Sequence, residues 1–245
     1  MMIKKGTNNL SNYDFHSGET ILIDKPIDWT SFDVVNKIRS ATGAKKVGHA
    51  GTLDPKATGL LIICTGKKTK EISQYQDLEK TYTGSILLGM KSKSMDLETE
   101  LVGSYDLSLI KDDDIYRASK NFVGNIKQIP PMYSAIKYKG KSLYNFARKG
   151  KTINLESREV SVTRFDILQI NLPYINFEIT CSKGTYIRSI ANDLGEMLGC
   201  GAVLYSLRRT AIGNFSVNDA LLISEFVQLI KEQKSLNKKV LAEIN

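Results

Sequence analysis

An α+β fold is predicted for this chain on three grounds. Segments of helical and strand periodicity are mixed without the regular β-α-β alternation of a parallel sheet. Apolar residues make up 42% and charged residues 24%, the balance of an ordinary soluble globular protein. A length of 245 residues suffices for one large domain, or one domain carrying an insertion, around a sizeable core.

The elements follow in order. Residues 1–17 lack periodicity and are expected to form a flexible N-terminal arm. Thr20–Asp24 is a β-rich run stopped by Pro26, which predicts a strand. Thr30 and Asp33 have capping-box spacing, Phe32, Val35 and Ile38 share a helical face, and Gly43 supplies the stop, so a helix is expected between them. Lys45–Gly59 is rich in Gly and Pro and reads as an ordered loop. Leu60–Cys64 is a buried strand or a buried helical turn. Tyr82–Leu88 predicts a strand and Asp112–Gly124 a helix. Val160–Ile170 and Tyr174–Cys181 predict antiparallel strands joined by the Asn171–Pro173 turn. Ile187, Ile190, Ala191, Leu194 and Met197 follow helical spacing until Gly199–Gly201 stops them. Ala202–Leu207 is a final strand, and Asp219–Lys231 an amphipathic helix running into a Lys-rich end.

Lys and Arg total 34 against 26 Asp and Glu, a net charge of +8 that suits a polyanionic partner. The cations concentrate at Lys137, Lys139, Lys141, Arg148, Lys149, Lys151 and Arg158, with Glu156 the sole acid in that stretch. Tyr138, Tyr144 and Phe146 interleave with them, the mixture a groove for phosphates and unstacked bases would use. A solvated basic hairpin is the alternative. Cys64, Cys181 and Cys200 are widely spaced and suggest no disulfide framework, which fits a reducing compartment. With His16 and His49 the only histidines, ordinary zinc-ligand spacing is missing and no metal is expected. The longest apolar run, Leu60–Cys64, is far short of a membrane span, and no signal-peptide core follows Lys4 and Lys5, so a cytoplasmic protein is expected.

Several familiar sites fail on inspection. Gly66-Lys67 lacks the first glycine and the Ser or Thr of a phosphate loop, and Leu204 stands where a dinucleotide fingerprint needs its third glycine. There is no Gly-x-Ser-x-Gly elbow. What remains is the loop Gly48-His49-Ala50-Gly51-Thr52-Leu53-Asp54-Pro55-Lys56-Ala57-Thr58-Gly59. Its glycines permit close backbone approach, Pro55 stiffens the residue after the carboxylate, and Lys45, Lys46 and Lys56 favour an ionised Asp54. An ordinary Asp-Pro turn is the competing reading. A second candidate is Cys181-Ser182-Lys183-Gly184-Thr185-Tyr186-Ile187-Arg188, where a strand hands over to a helix. There Arg188 is turned off the apolar stripe and could fork onto a carboxylate from another loop, unless it is simply an exposed arginine beside Asp193.

Five separated motifs resemble, in order, those of TruB-type pseudouridine synthases. They are Leu22-Ile23-Asp24-Lys25-Pro26, the Gly48–Gly59 loop, Lys80-Thr81-Tyr82, Ile129-Pro130-Pro131-Met132-Tyr133-Ser134-Ala135-Ile136-Lys137, and Lys183-Gly184-Thr185-Tyr186-Ile187-Arg188. The likeness runs from about Gly18 to Phe215. It implies the pseudouridine-synthase fold, a central mixed and largely antiparallel sheet flanked by helices, as a catalytic domain over 18–215 with an RNA-gripping insertion at about 130–158. The reaction it implies isomerises the uridine at position 55, in the T-arm loop of tRNA, to pseudouridine. Asp54 matches the catalytic aspartate, Tyr82 the tyrosine that stacks on the base, and Arg188 the arginine that pairs with the aspartate. His49 matches a histidine beside the flipped nucleotide, Leu207 an apolar pocket residue, and Tyr186 and Lys25 residues near the site. Lys139, Arg148 and Lys151 fall in the gripping insertion. No cofactor is implied, because atoms are rearranged without redox change, and a monomer is expected.

Two departures stand out. Where the family usually shows Thr-Asp-Thr-x-Asp-x-x-Gly, this chain has Ser92-Lys93-Ser94-Met95-Asp96-Leu97-Glu98-Thr99, keeping Asp96 but not the flanking acid and glycine. About thirty residues follow Phe215, so residues 216–245 are expected to form a helical tail and no full C-terminal RNA-binding β-domain. A non-catalytic RNA-binding or tRNA-folding module is the alternative function, against which Asp54, Tyr82 and Arg188 all being present argues. A hydrolase using Asp54 as nucleophile lacks an acid partner.

Overall fold

The computed structural model describes residues 2–244, with side chains through 237. Two compact units divide it: residues 2–80 with 208–244, and residues 81–207. The first begins with β1 (Met2–Ile3), β2 (Thr20–Lys25), α1 (Ser31–Thr42), β3 (Val47–His49), β4 (Ala57–Thr65) and α2 (Ile72–Asp77). Next come β5 (Lys80–Leu88), α3 (Asp112–Lys120), β6 (Gly124–Gln128), β7 (Lys137–Tyr138), β8 (Lys141–Ser142), α4 (Leu143–Ala147), β9 (Arg158–Asn171), β10 (Tyr174–Cys181) and α5 (Ile187–Met197). The chain then returns through β11 (Ala202–Ile212) to β12 (Phe215–Ser216), β13 (Leu221–Leu222) and α6 (Ile223–Ile244).

In the first unit the strand order is β1-β2-β4-β11. β2 and β4 pair antiparallel from Thr20↔Cys64 to Lys25↔Gly59. The unbroken apolar run of β4 is explained by burial on both faces. Leu61 and Ile63 enter one core with Ile21, Ile23, Val34, Val35 and Ile38, while Leu60, Ile62 and Cys64 enter another with Leu22 and Ile212. Along the outer edge of β2, β1 pairs in parallel at Thr20 and Ile21, and β13 at Ile23 and Asp24. Segments from near both ends of the chain thus share one strand edge.

Three expectations change here. Residues 2–17 are tied down rather than loose: Ile3 and Leu10 are buried, Tyr13 and Phe15 pack on the same core, and the Leu10 amide donates to Gln233 Oε1 at 3.1 Å. Periodicity missed this because single apolar anchors, not a repeating face, do the fixing. In α1 the Thr30–Asp33 capping box and the left-handed Gly43 stop are both present. The buried stripe, however, is Ser31, Val34, Val35 and Ile38, and Phe32 is 61% exposed. At ~100° per residue Phe32 stands about a quarter-turn off that stripe. The last helix starts at Ile223 instead of Asp219, because Val217–Asp219 forms a short 3-10 turn and Leu221–Leu222 is taken by the edge of β2.

The second unit orders its strands β11-β5-β10-β9-β6, and its helices α3 and α5 cover one apolar core. β9 and β10 form the expected hairpin, paired from Asn171↔Tyr174 to Val162↔Cys181. Alternate residues Ile175, Phe177, Ile179 and Cys181 point into the core against Ile190, Ala191 and Leu194 of α5. Met197, counted with that stripe in sequence, is 53% exposed at the helix end. Gly84 lets β5 and β11 approach closely, since a Cβ there would stand 2.3 Å from the Ser206 carbonyl oxygen. The α+β class is as the sequence pattern predicts, and the mixed sheet flanked by helices is as the resemblance implies.

Candidate active site

The Asp54 loop in the first unit is ordered by anchors outside itself. Ser31, the first residue of α1, fixes Leu53 twice: its Oγ accepts the Leu53 amide at 2.9 Å and donates to the Leu53 carbonyl at 3.3 Å. The Asp54 carbonyl accepts the Ala57 amide at 3.0 Å, closing the turn on which the half-buried carboxylate stands. The Pro55 carbonyl accepts the Asp28 amide at 2.9 Å, and Lys56 bridges to Asp28 at 2.7 Å.

Lys25 lies beneath this turn and is fully buried. Its ammonium donates to the carbonyls of Trp29 at 2.6 Å, Pro26 at 2.9 Å and Pro55 at 3.3 Å, one proton for each. Desolvation pulls its pKa down to about 8, opposed by the charges of Asp54 and Asp28. Lys25, which the resemblance puts among the substrate-binding residues, is buried here as a strut for the Asp54 turn. The signal available in sequence was its place in Asp24-Lys25-Pro26, at the end of a buried strand.

His49 ends β3, half-buried, with Nδ1 enclosed and lacking a hydrogen-bond partner among the described residues. Burial first, then the positive charge of Arg209, depresses its pKa, so the imidazole is neutral at neutral pH. Lys45 and Lys46 are exposed. Two further residues, Arg208 and Arg209, join the loop without belonging to any motif singled out in the sequence. Arg208 pairs with Asp24 through both nitrogens, at 2.6 and 3.0 Å, and reaches Thr58 Oγ1 at 3.4 Å. Arg209 is buried, with Nε on the Leu60 carbonyl at 2.7 Å and Nη2 on the Gly51 carbonyl at 3.1 Å. Adjacent arginines at the strand-period end of an apolar run were the legible signal.

The remaining sequence-predicted residues lie in the second unit. Tyr82 on β5 and Leu207 on β11 are half-buried and pack against that unit's core. Tyr186 caps α5, its amide donating to Gln128 Oε1 at 2.7 Å and its carbonyl accepting from Gln128 Nε2 at 3.1 Å. Arg188 is 2% exposed, which removes the reading of an exposed arginine beside Asp193. It is off the apolar stripe of α5, as its position implies, but covered by the Ser92–Thr99 loop and the Pro131–Ser134 segment. Nη1 donates to the Ser94 carbonyl at 3.2 Å and Nη2 to the Tyr133 carbonyl at 2.9 Å, while Nε is 3.8 Å from Asp96 Oδ2. The altered loop is itself well made. Ser94 and Thr99 exchange amide-to-hydroxyl bonds at 3.0 and 3.1 Å, and the Met95 carbonyl accepts the Leu204 amide at 2.9 Å. Thr99 thus supplies with its hydroxyl a fixed point that a glycine could not.

Lys139, Arg148 and Lys151 are exposed on the β7–β8 hairpin and the segment after α4. The aromatics between them pair with other rings, Tyr138 with Phe146 at 6.0 Å and Tyr144 with Tyr133 at 5.9 Å, both edge to face, while Tyr138 stays exposed. They build the hairpin, which presents the cations together with Tyr138.

A family model described as the TruB family pseudouridylate synthase N-terminal domain matches residues 39–187, and one for the tRNA pseudouridylate synthase B C-terminal domain matches 188–244. The chain belongs to the TruB family of pseudouridylate synthases. Among curated TruB relatives, tRNA pseudouridine synthase B of Chloroherpeton thalassium is 52% identical over 218 residues, covering 87% of this chain and 90% of that protein. The Flavobacterium johnsoniae protein of the same name is 45% identical over 225 residues, covering 89% and 98%. Among solved structures, a Cbf5-Nop10-Gar1 complex is similar with TM-score 0.67 and 29% identity, covering 87% of this chain and 54% of that one. An H/ACA RNP bound to a substrate RNA containing 2′-deoxyuridine gives 0.65 and 26%, covering 87% and 53%. This TruB-family chain spans about half the length of those two structural relatives. No helix among the described residues is long and apolar enough to cross a membrane.

Proposed function

We propose that this TruB-family chain isomerises a uridine of tRNA, at position 55 in the T-arm loop, to pseudouridine. The observation that carries the reading is a half-buried carboxylate, Asp54, on a turn fixed by Ser31, Lys25 and Ala57. A turn that merely reversed the chain would need no such underpinning. The isomerisation breaks the C1′–N1 bond and forms C1′–C5; a proton leaves C5 and N1 gains one, so the step is redox-neutral. The groups it requires are a fixed carboxylate, an acid–base group and a way to hold the detached base. Asp54 supplies the first. Tyr82 supplies an aromatic face and a phenol, and stacking offsets part of the cost of extruding the base. Arg188 supplies a rigidly held positive charge, and neutral His49 a ring beside the extruded nucleotide. Leu207 and Tyr186 line the base pocket, and Asp96 steadies the segment above Arg188. Lys139, Arg148 and Lys151 bind backbone phosphates from the insertion at about 130–158.

The catalytic domain in this reading is 18–215, followed by the β13 edge strand and the helix Ile223–Ile244, both packed on its first unit. The protein acts as a cytoplasmic monomer. The test is incubation with an unmodified tRNA transcript and mapping of pseudouridine. Formation at position 55 is expected with wild type and not with Asp54→Asn, whose tRNA affinity should stay within about tenfold because binding is spread over many phosphates. Turnover by Asp54→Asn, checked for deamidation, would remove Asp54 from the mechanism. RNA binding without any pseudouridine would favour the non-catalytic module.

A further inference from the structure

We propose that Arg209 is the positioning residue of the Asp54 loop, a clamp that holds its two stems together and so fixes where the carboxylate stands. The inference rests on the assignment of Asp54 as the catalytic group.

The geometry is specific. The loop leaves β3 after His49 and re-enters the sheet at Ala57 in β4, so Gly51 stands on its outgoing stem and Leu60 on its returning one. Arg209 binds the carbonyls of these two residues with two nitrogens of one planar guanidinium, at 3.1 and 2.7 Å. Its side chain is 1% exposed, so the bonds are made away from water and both carbonyls would be left bare without them. The backbone of Arg209 presses on the same stem. A Cβ on Gly59 would stand 2.3 Å from the Arg209 carbonyl oxygen and 2.7 Å from its nitrogen. Gly51 is held to glycine by its φ of +93° rather than by space, since a Cβ there would meet Arg209 Nη1 at an ordinary 3.5 Å. On the opposite strand face Arg208 holds Thr58 and Asp24, so successive residues of β11 grip the returning stem from both sides.

A buried arginine set on two carbonyls is a costly way to satisfy them. A fork that spans two stems is what lysine cannot supply, since its ammonium is a point donor. The charge has a second effect, because it helps keep His49 neutral. Position and charge can therefore be separated by choice of substitution.

The experiment compares wild type, Arg209→Lys, Arg209→Gln, Asp54→Asn and a core control on the same strand, Ile212→Val. The readouts are tRNA affinity, single-turnover rate at saturating tRNA and NMR titration of the histidine rings, which number two. Arg209→Lys should lose on the order of 10²-fold in rate, the effect of an ångström-scale displacement, with affinity within about threefold. Its His49 titration should stay low, while in Arg209→Gln it should rise. Ile212→Val should react at the wild-type rate. If Arg209→Lys fails to fold, Arg209→Gln, which buries no charge, carries the same rate comparison. A wild-type rate in the folded Arg209 variant, a rate loss matched by weakened affinity, or an equal loss in Ile212→Val overturns the clamp. Turnover by Asp54→Asn overturns the catalytic assignment instead, which keeps the two failures apart.

Discussion

Replacing Lys25 by Met preserves length and removes the charge and three donors under the Asp54 turn. Two opposing effects decide the outcome. A pKa of about 8 against 10.5 means that burying the ammonium costs about 3 kcal/mol at pH 7. Against that, three buried carbonyls lose their donor, at about 1–3 kcal/mol each. At a central value of about 2 kcal/mol for each carbonyl the bonds outweigh the burial cost, and Lys25→Met should be less stable at pH 7 by about 3 kcal/mol. The pH dependence has a definite sign. The native state releases the proton first as pH rises through 8, so the unfolded chain binds more protons between 8 and 10.5 and wild type gains stability there. At pH 9 the gap between wild type and Lys25→Met should widen by about 1.3 kcal/mol. Urea denaturation of both proteins at pH 7 and 9 measures this. Equal stability at pH 7, or a gap that narrows at pH 9, would refute the account of Lys25 as a charged strut.

Further outcomes are expected at other positions. Arg188→Lys keeps the charge but cannot reach the Ser94 and Tyr133 carbonyls and Asp96 together. It should lower the single-turnover rate severely and cost about 1–3 kcal/mol for the carbonyl left bare, read by thermal melting. Replacing Lys139, Arg148 and Lys151 together by Ala should weaken tRNA binding and reduce its salt slope by about 0.7–0.9 for each phosphate no longer neutralised, with the rate at saturating tRNA much less affected. An unchanged slope would make the segment a solvated hairpin and move the search to Lys45, Lys46 and Lys67–Lys70.

Elements with a repeating signal were legible in the sequence, and elements held by single anchors were not. The capped α1, the β9–β10 hairpin and the apolar stripe of α5 announce themselves through spacing and stop residues. Residues 2–17 do not, because Ile3 and Leu10 are fixed by partners more than ten residues away, among them Gln233. The Gly48–Gly59 loop stood out by composition, yet what holds it did not. Ser31, Lys25 and Arg209 approach from other segments, and no local pattern marks a lysine as buried beneath a turn. Phe32 shows the converse error, an apolar residue assigned inward by a period of three when the buried stripe runs one position earlier.

The split first unit also has a consequence for synthesis on the ribosome. β4 is complete after residue 65, but Arg209 is encoded 149 residues after Leu60, whose carbonyl it binds. At roughly 5–20 residues per second, that separation lasts about 7–30 s. Through that interval β2 and β4 can pair, but the cover from β13, Phe226 and Ile230 does not yet exist. The nascent chain must then carry an apolar sheet face covered by α1 but not yet by α6 while the whole second unit emerges and folds. A ribosome stalled before codon 209 would hold a chain whose Asp54 loop has Ser31 and Lys25 in place but not the fork of Arg209.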